Sequence, residues 1–132
     1  MHSATELLQC LSYPGCLDHL ADDVEWHLPV SLWEGVGGAH VGPIAVEKML
    51  HKVMAEFYDP ASMAPEITCS FGDDTHATIV FTMNATTRWG EQYRNNYSIT
   101  IEARAGKIAR VYEVFDTKNV FDTLDNAKLG SV

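Results

Sequence analysis

The chain is poor in positive charge: 9 Lys and Arg stand against 18 Asp and Glu, for a formal net charge of -9. Binding that works by neutralising phosphates needs clustered Lys and Arg, so no nucleic-acid partner is expected. Long apolar runs are missing as well. No stretch approaches the roughly 20 residues that span a bilayer, and the N-terminus has no basic segment followed by an apolar one. The expectation is a soluble, cytoplasmic protein with no membrane partner. Cysteine is scarce, and Cys10, Cys16 and Cys69 form no C-x-x-C pair and leave one over, which fits buried thiols in a reducing compartment. The six histidines show no i, i+4 pair, so no metal site is expected. No G-x-S-x-G elbow occurs, so a serine nucleophile is not expected, and Gly35-Val36-Gly37-Gly38 lacks the Lys and Ser or Thr of a phosphate loop; no cofactor is expected.

What is present suffices for one domain with its own core over residues 1–132. Ser3 followed by Glu6 has capping-box spacing and predicts a short helix carrying Leu7, Leu8 and Leu11, stopped by Pro14-Gly15. Cys16 to Ala21 offers a second helical turn. From Val24 to Pro29 the alternation puts Val24, Trp26 and Leu28 on one strand face and Glu25 and His27 on the other. Residues 31–42 read as a glycine-rich loop. Gly42-Pro43 then opens a helix in which Val46, Met49, Leu50, Val53 and Phe57 recur at helical spacing.

Beyond Asp59-Pro60 the period changes to two. Strands are predicted near Glu66 to Phe71, from about His76 to Thr87, from Tyr93 to Ala103 and from Lys107 to Asp116, joined at Gly72-Asp73-Asp74, Trp89-Gly90 and Ala105-Gly106. In the third of these, Asn95 and Tyr97 share a face with Ile99; in the last, Ala109, Val111, Glu113 and Phe115 oppose Ile108, Arg110, Tyr112 and Val114. Residues 125–132 read as a poorly held tail. Short helices, a strand, a longer helix and then long strands predict an α+β domain with helices segregated to one face of a highly curved sheet.

Several phrases in this order carry a resemblance. They are Leu20-Ala21-Asp22-Asp23-Val24-Glu25-Trp26-His27-Leu28-Pro29, the glycine loop ending Gly42-Pro43, Tyr93-Arg94-Asn95-Asn96-Tyr97, and Gly106-Lys107-Ile108 leading to Glu113-Val114-Phe115-Asp116-Thr117. Together the chain resembles the SnoaL-like and ketosteroid-isomerase-like proteins of the nuclear transport factor 2-like superfamily. The resemblance implies a cone-shaped, curved, mixed but mostly antiparallel sheet with helices on its concave face, an apolar pocket between them, and a homodimer through the outer sheet face. It implies no single activity.

On that fold Glu113 points into the cone. A desolvated carboxyl there has a raised pKa, suited to general acid or base work; the other reading is a carboxylate that merely satisfies neighbouring donors. Asn95 and Tyr97 are expected beside it, either orienting a ligand or bonding to one another. Trp26, Leu28, Phe57, Phe81, Ile99, Val111 and Phe115 are candidates for the pocket wall, and Trp33, in the glycine loop, for its mouth. The resemblance puts Leu28 where the steroid isomerases carry their base, and Ile99, or Ser98 if the hairpin is one residue shorter, where they carry an acid; polyketide cyclases of the SnoaL type place an Asp at about the Ile99 position. The Arg-x-Asp pair of limonene-epoxide-hydrolase-like members is missing. The expected function is binding of a small, mainly apolar molecule, with cofactor-free isomerase, hydrolase or cyclase chemistry at Glu113, or else non-catalytic binding or a dimeric scaffold. In the scaffold reading Ile108, Tyr112 and Val114, with Arg110, form the interface.

Overall fold

Ser3 starts the first helix as expected. Its hydroxyl accepts the backbone N–H of Glu6, and Ala4–Leu8 (α1) buries Ala4, Leu7 and Leu8. The computed structural model describes the backbone of residues 1–130 and the side chains of residues 1–125. After a single 3-10 turn at Gly15–His19 the chain enters β1, Leu20–Leu28, which begins earlier than the alternation suggests. Val24, Trp26 and Leu28 are buried on one face of β1, while Glu25 and His27 on the other are not.

The glycine loop contains a strand that the sequence pattern does not show. Gly38–Val41 (β2) pairs antiparallel with the end of β1. Four residues are too few for an alternation to be read, and the flanking Gly38 and Gly42 adopt φ of 87° and 89°, which favours glycine. Helix α2, Pro43–Glu56, follows with proline in its first turn, where a missing N–H costs little, and buries Val46, Met49 and Leu50.

Four long strands complete the sheet: β3, Ala64–Gly72; β4, His76–Thr86; β5, Gln92–Arg104; and β6, Lys107–Phe115. The turn between β3 and β4 is held by Asp73, whose carboxylate accepts the N–H groups of Thr75 and His76 at 2.9 Å each. The strand order is β2-β1-β6-β5-β4-β3; β1 and β6 run parallel and every other pairing is antiparallel. The architecture is α+β, a curved and unclosed six-stranded sheet with three helices, as expected.

Two local departures follow from packing. Opposite Glu102 and Ala103 the β6 register slips by one residue, so that Ile108 pairs with Ala103 and Arg110 with Glu102. Such a bulge flips the alternation, and Ile108, expected on the outer face, is completely buried in the core. The second departure is α3, Thr117–Gly130. Of the expected tail over 125–132, residues through Gly130 continue this helix, and 131–132 lie outside the described residues. Asp116 provides the cap by accepting the Asn119 N–H, and Val120, Phe121 and Leu124 pack on the core. Among the described residues no helix is long and apolar enough to cross a membrane.

The core sits on the concave side, where Leu7, Val24, Val46, Ile101, Ile108 and Val111 are the large side chains most completely enclosed. Each such burial stabilises the fold by about 1.5–3 kcal/mol relative to an exposed side chain.

Candidate functional site

A cavity of about 560 Å³ lies between the curved sheet, α1 with the segment after it, and α2. Register decides its wall. Ile79, Phe81 and Met83 of β4 alternate inward, Tyr93, Tyr97 and Ile99 of β5 stand beside them, and β6 adds Glu113 and Phe115. Trp26 and Leu28 of β1 close one side and Met49, Leu50 and Val53 of α2 form the roof. Glu113 is the only carboxyl, and no Lys, Arg or His stands with it, among the described residues of the lining.

Glu113 pairs with Ile99 across β5 and β6, so a carboxyl projects into an apolar wall. Its Oε1 accepts the indole N–H of Trp26 at 3.1 Å. Oε2 has no hydrogen-bond partner among the described residues, yet it is not an enclosed orphan, so it keeps surface toward the cavity. Glu113 therefore counts as half-buried by exposure although its surface opens on the cavity. Burial pushes its pKa from 4.5 up to about 7, against the Trp26 hydrogen bond, which favours the ionised form.

Beside it lies a cluster of phenols. The Tyr97 hydroxyl is 2.6 Å from that of Tyr58 and 2.7 Å from that of Tyr93. Asn95 donates one amide N–H to the Tyr93 hydroxyl at 2.8 Å and the other to the Asp116 carbonyl at 2.9 Å. Its Oδ1 accepts the Asn96 N–H, so the amide is fully engaged. Burial holds the Tyr58 and Tyr97 hydroxyls well above their ordinary pKa of 10, and Tyr93 above it too. All three are neutral donors at any physiological pH. The rings pack as well: Phe81 lies parallel to Tyr97 at 5.3 Å between centroids, and Phe57 meets Tyr58 and Tyr93 edge-on.

The sequence candidates are thus partly brought together. Glu113, Tyr97, Trp26, Leu28, Trp33, Phe57, Phe81, Ile99 and Phe115 line the cavity; Asn95 and Val111 do not. Asn95 stands behind Tyr93, and Val111, opposite Ile101, lies deeper in the core. Trp33 is at the rim, edge-on to Phe121 of α3 at 6.2 Å. Tyr97 faces the same cavity as Glu113, but the hydrogen-bond partner of the carboxyl among the described residues is Trp26. Sequence reasoning missed Tyr93 and Tyr58. Tyr93 was within reach, since it shares the alternation of Asn95 and Tyr97; Tyr58 was not, because it follows α2 and meets Tyr97 only through the fold.

Among the described residues no group of three or more His, Cys, Asp or Glu is placed to hold a metal ion.

No family model matches the sequence, and comparison with curated proteins gives no match. Solved structures do match. An NTF2-like protein of unknown function from Burkholderia pseudomallei is 20% identical, with 91% of this chain and 90% of that chain covered at a TM-score of 0.70. TerC, co-crystallised with polyporic acid, is 22% identical with 82% of each chain covered, also at 0.70. A provisionally named isomerase from Bacillus subtilis is 18% identical over 92% of each chain at 0.73. Identities this low establish architecture and leave chemistry to the site. The chain has the fold of the nuclear transport factor 2-like proteins.

Proposed function

We propose that this protein binds a small, mainly apolar molecule in the cavity and moves a proton on it with Glu113. The observation that carries this reading is one carboxyl in an apolar wall, with no cation to neutralise it and one oxygen open to the cavity. Its pKa near 7 makes both protonation states accessible at neutral pH, which is what general acid and base catalysis require. In the ionised state Oε2 takes a proton from the ligand; the protonated carboxyl then returns it to another atom of the same ligand. Trp26 fixes the carboxyl by its indole N–H and leaves Oε2 to react. A similarly folded protein, TerC, has been co-crystallised with polyporic acid, which supports the reading that a protein of this fold binds a small organic molecule.

A second reading is favoured by the lack of a second acid among the described lining residues: the cavity stores or carries its ligand without chemistry. The two separate in heavy water. Compounds that bind by native mass spectrometry are incubated with the protein in D2O, and deuterium incorporation is followed by mass. Exchange accelerated by the native chain and abolished by Glu113→Gln, with binding retained, supports proton transfer. Binding with no compound exchanged faster than in buffer leaves the carrier.

We also propose that two copies meet through the outer sheet face, where Tyr112 and Val114 remain 41% and 62% exposed beside Arg110. A monomer mass at micromolar concentration rules this out.

A further inference from the structure

The roof of the cavity consists of two pieces that pack on different parts of the sheet. Helix α1 packs chiefly against β4 and β5, and α2 against β1 and β2. Between β5 and β1 runs β6, which carries Glu113, so the divide between the two pieces falls over the carboxyl. Leu11, Ser12 and Tyr13 line the cavity from the α1 side, and the Tyr13 hydroxyl reaches across to His51 Nδ1 of α2 at 3.3 Å. Among the described residues no other hydrogen bond joins the two pieces.

This segment is pinned at its ends and loose between them. On one side α1 is tied to the turn between β3 and β4, where the Ala4 and Thr5 N–H groups donate to the carbonyls of Asp74 and Asp73 at 2.8 and 3.3 Å and the Thr5 hydroxyl donates to Asp73 as well. On the other side Cys16 is completely buried. In between, the N–H groups of Leu11, Ser12 and Tyr13 meet no acceptor among the described residues, and Pro14 has no N–H to give. A stretch with so few backbone hydrogen bonds opens at lower cost than the elements that flank it.

We infer that residues 11–14 form a strap that lifts to admit the ligand, and that the Tyr13–His51 bond is its latch. This rests on the proposed function, in which the cavity is the binding site and Glu113 the destination. A competing way in lies over β3, which is exposed along its whole length. That way is long. Ser70, Ile79, Ile99 and Glu113 stand in one row across the strands, and three strand spacings put the carboxyl about 14 Å from β3. Lifting the strap opens the roof at the divide above Glu113 and breaks one hydrogen bond to α2.

The probe is N-phenyl-1-naphthylamine, an uncharged apolar dye that brightens on leaving water, with binding and release followed by stopped-flow fluorescence. His51→Ala removes the latch without touching the cavity wall, of which His51 is not a part. Entry and exit both need the strap open, so association and release should each rise about fivefold, the effect of one exposed hydrogen bond, with Kd held within about twofold. Unchanged rates overturn the latch, and so does faster release alone, which would make His51 a support for the bound dye. A second variant locks the strap. In a Cys10→Ser/Cys69→Ser background, Tyr13→Cys/His51→Cys is bridged by a short bis-maleimide, since side chains that meet at their tips leave the backbones too far apart for a disulfide. Against the same variant capped with N-ethylmaleimide, the bridged chain should take up and release the dye roughly tenfold more slowly. Equal rates overturn the strap and leave entry over β3. If the native chain binds the dye and neither change moves its rates, the cavity reading survives alone; if the native chain does not bind it, both fall.

Discussion

Glu113→Gln should make the protein more stable at alkaline pH and change it little at pH 4. Burial raises the Glu113 pKa from 4.5 to about 7. At about 1.4 kcal/mol per pH unit, that rise corresponds to up to roughly 3 kcal/mol favouring the protonated carboxyl in the folded state. The sign follows from proton binding. Between pH 4.5 and 7 the folded chain holds a proton that the unfolded chain has released, so stability from this group is fully present below 4.5 and is lost as pH rises through 7. Glutamine has no charge to desolvate and keeps an oxygen for the Trp26 N–H. Urea unfolding of both chains at half-unit steps from pH 4 to 8.5 gives a difference curve in which every other titrating group cancels. The curve should be flat below about 4.5, rise toward roughly 3 kcal/mol and level off above 7. A difference independent of pH would refute the argument, since it would place the carboxyl in ordinary solvent. A ligand that fills the cavity displaces water from Oε2 and should move the upper plateau to higher pH.

Three further outcomes test the packing. Gly72→Ala should cost on the order of 3 kcal/mol in urea, because the added Cβ would sit 2.4 Å from the His76 carbonyl oxygen and 2.5 Å from the Ala77 Cα, both backbone atoms that cannot turn aside. Ile101→Ala, at a fully enclosed position, should lose about 2–5 kcal/mol, while Ile67→Ala on the exposed edge strand should stay within about 0.5 kcal/mol. A thiol reagent at neutral pH should label exposed Cys69 and spare Cys16, whose burial pushes its pKa up to about 11; mass spectrometry of native and urea-unfolded samples distinguishes the two.

Most of the fold could be read along the chain because period and punctuation are local. The inward set Ala77, Phe81, Met83 and Ala85 and the outward set Thr78, Thr82 and Asn84 follow from alternation alone, and Ser3 and Pro43 mark helix starts by their own chemistry. Where the reading failed, the deciding contact was distant or the segment too short. Ile108 turned inward because of a register slip against β5, and β2 exists only because β1 offers an edge to four residues. Helix α3 had local signs in Asp116 and in the helical spacing of Val120, Phe121 and Leu124, which the alternating strand before it obscured.

The same division holds at the site. The sequence alone determined that a lone carboxyl, Glu113, shares a face with apolar residues of β6. Only the tertiary structure decided what that carboxyl meets. Trp26 is 87 positions away in sequence, and Tyr58 reaches Tyr97 across 39. Alternation fixes which face a side chain takes, since that depends on its own backbone; its partner depends on strand order and curvature, which emerge only when the whole sheet closes around its core.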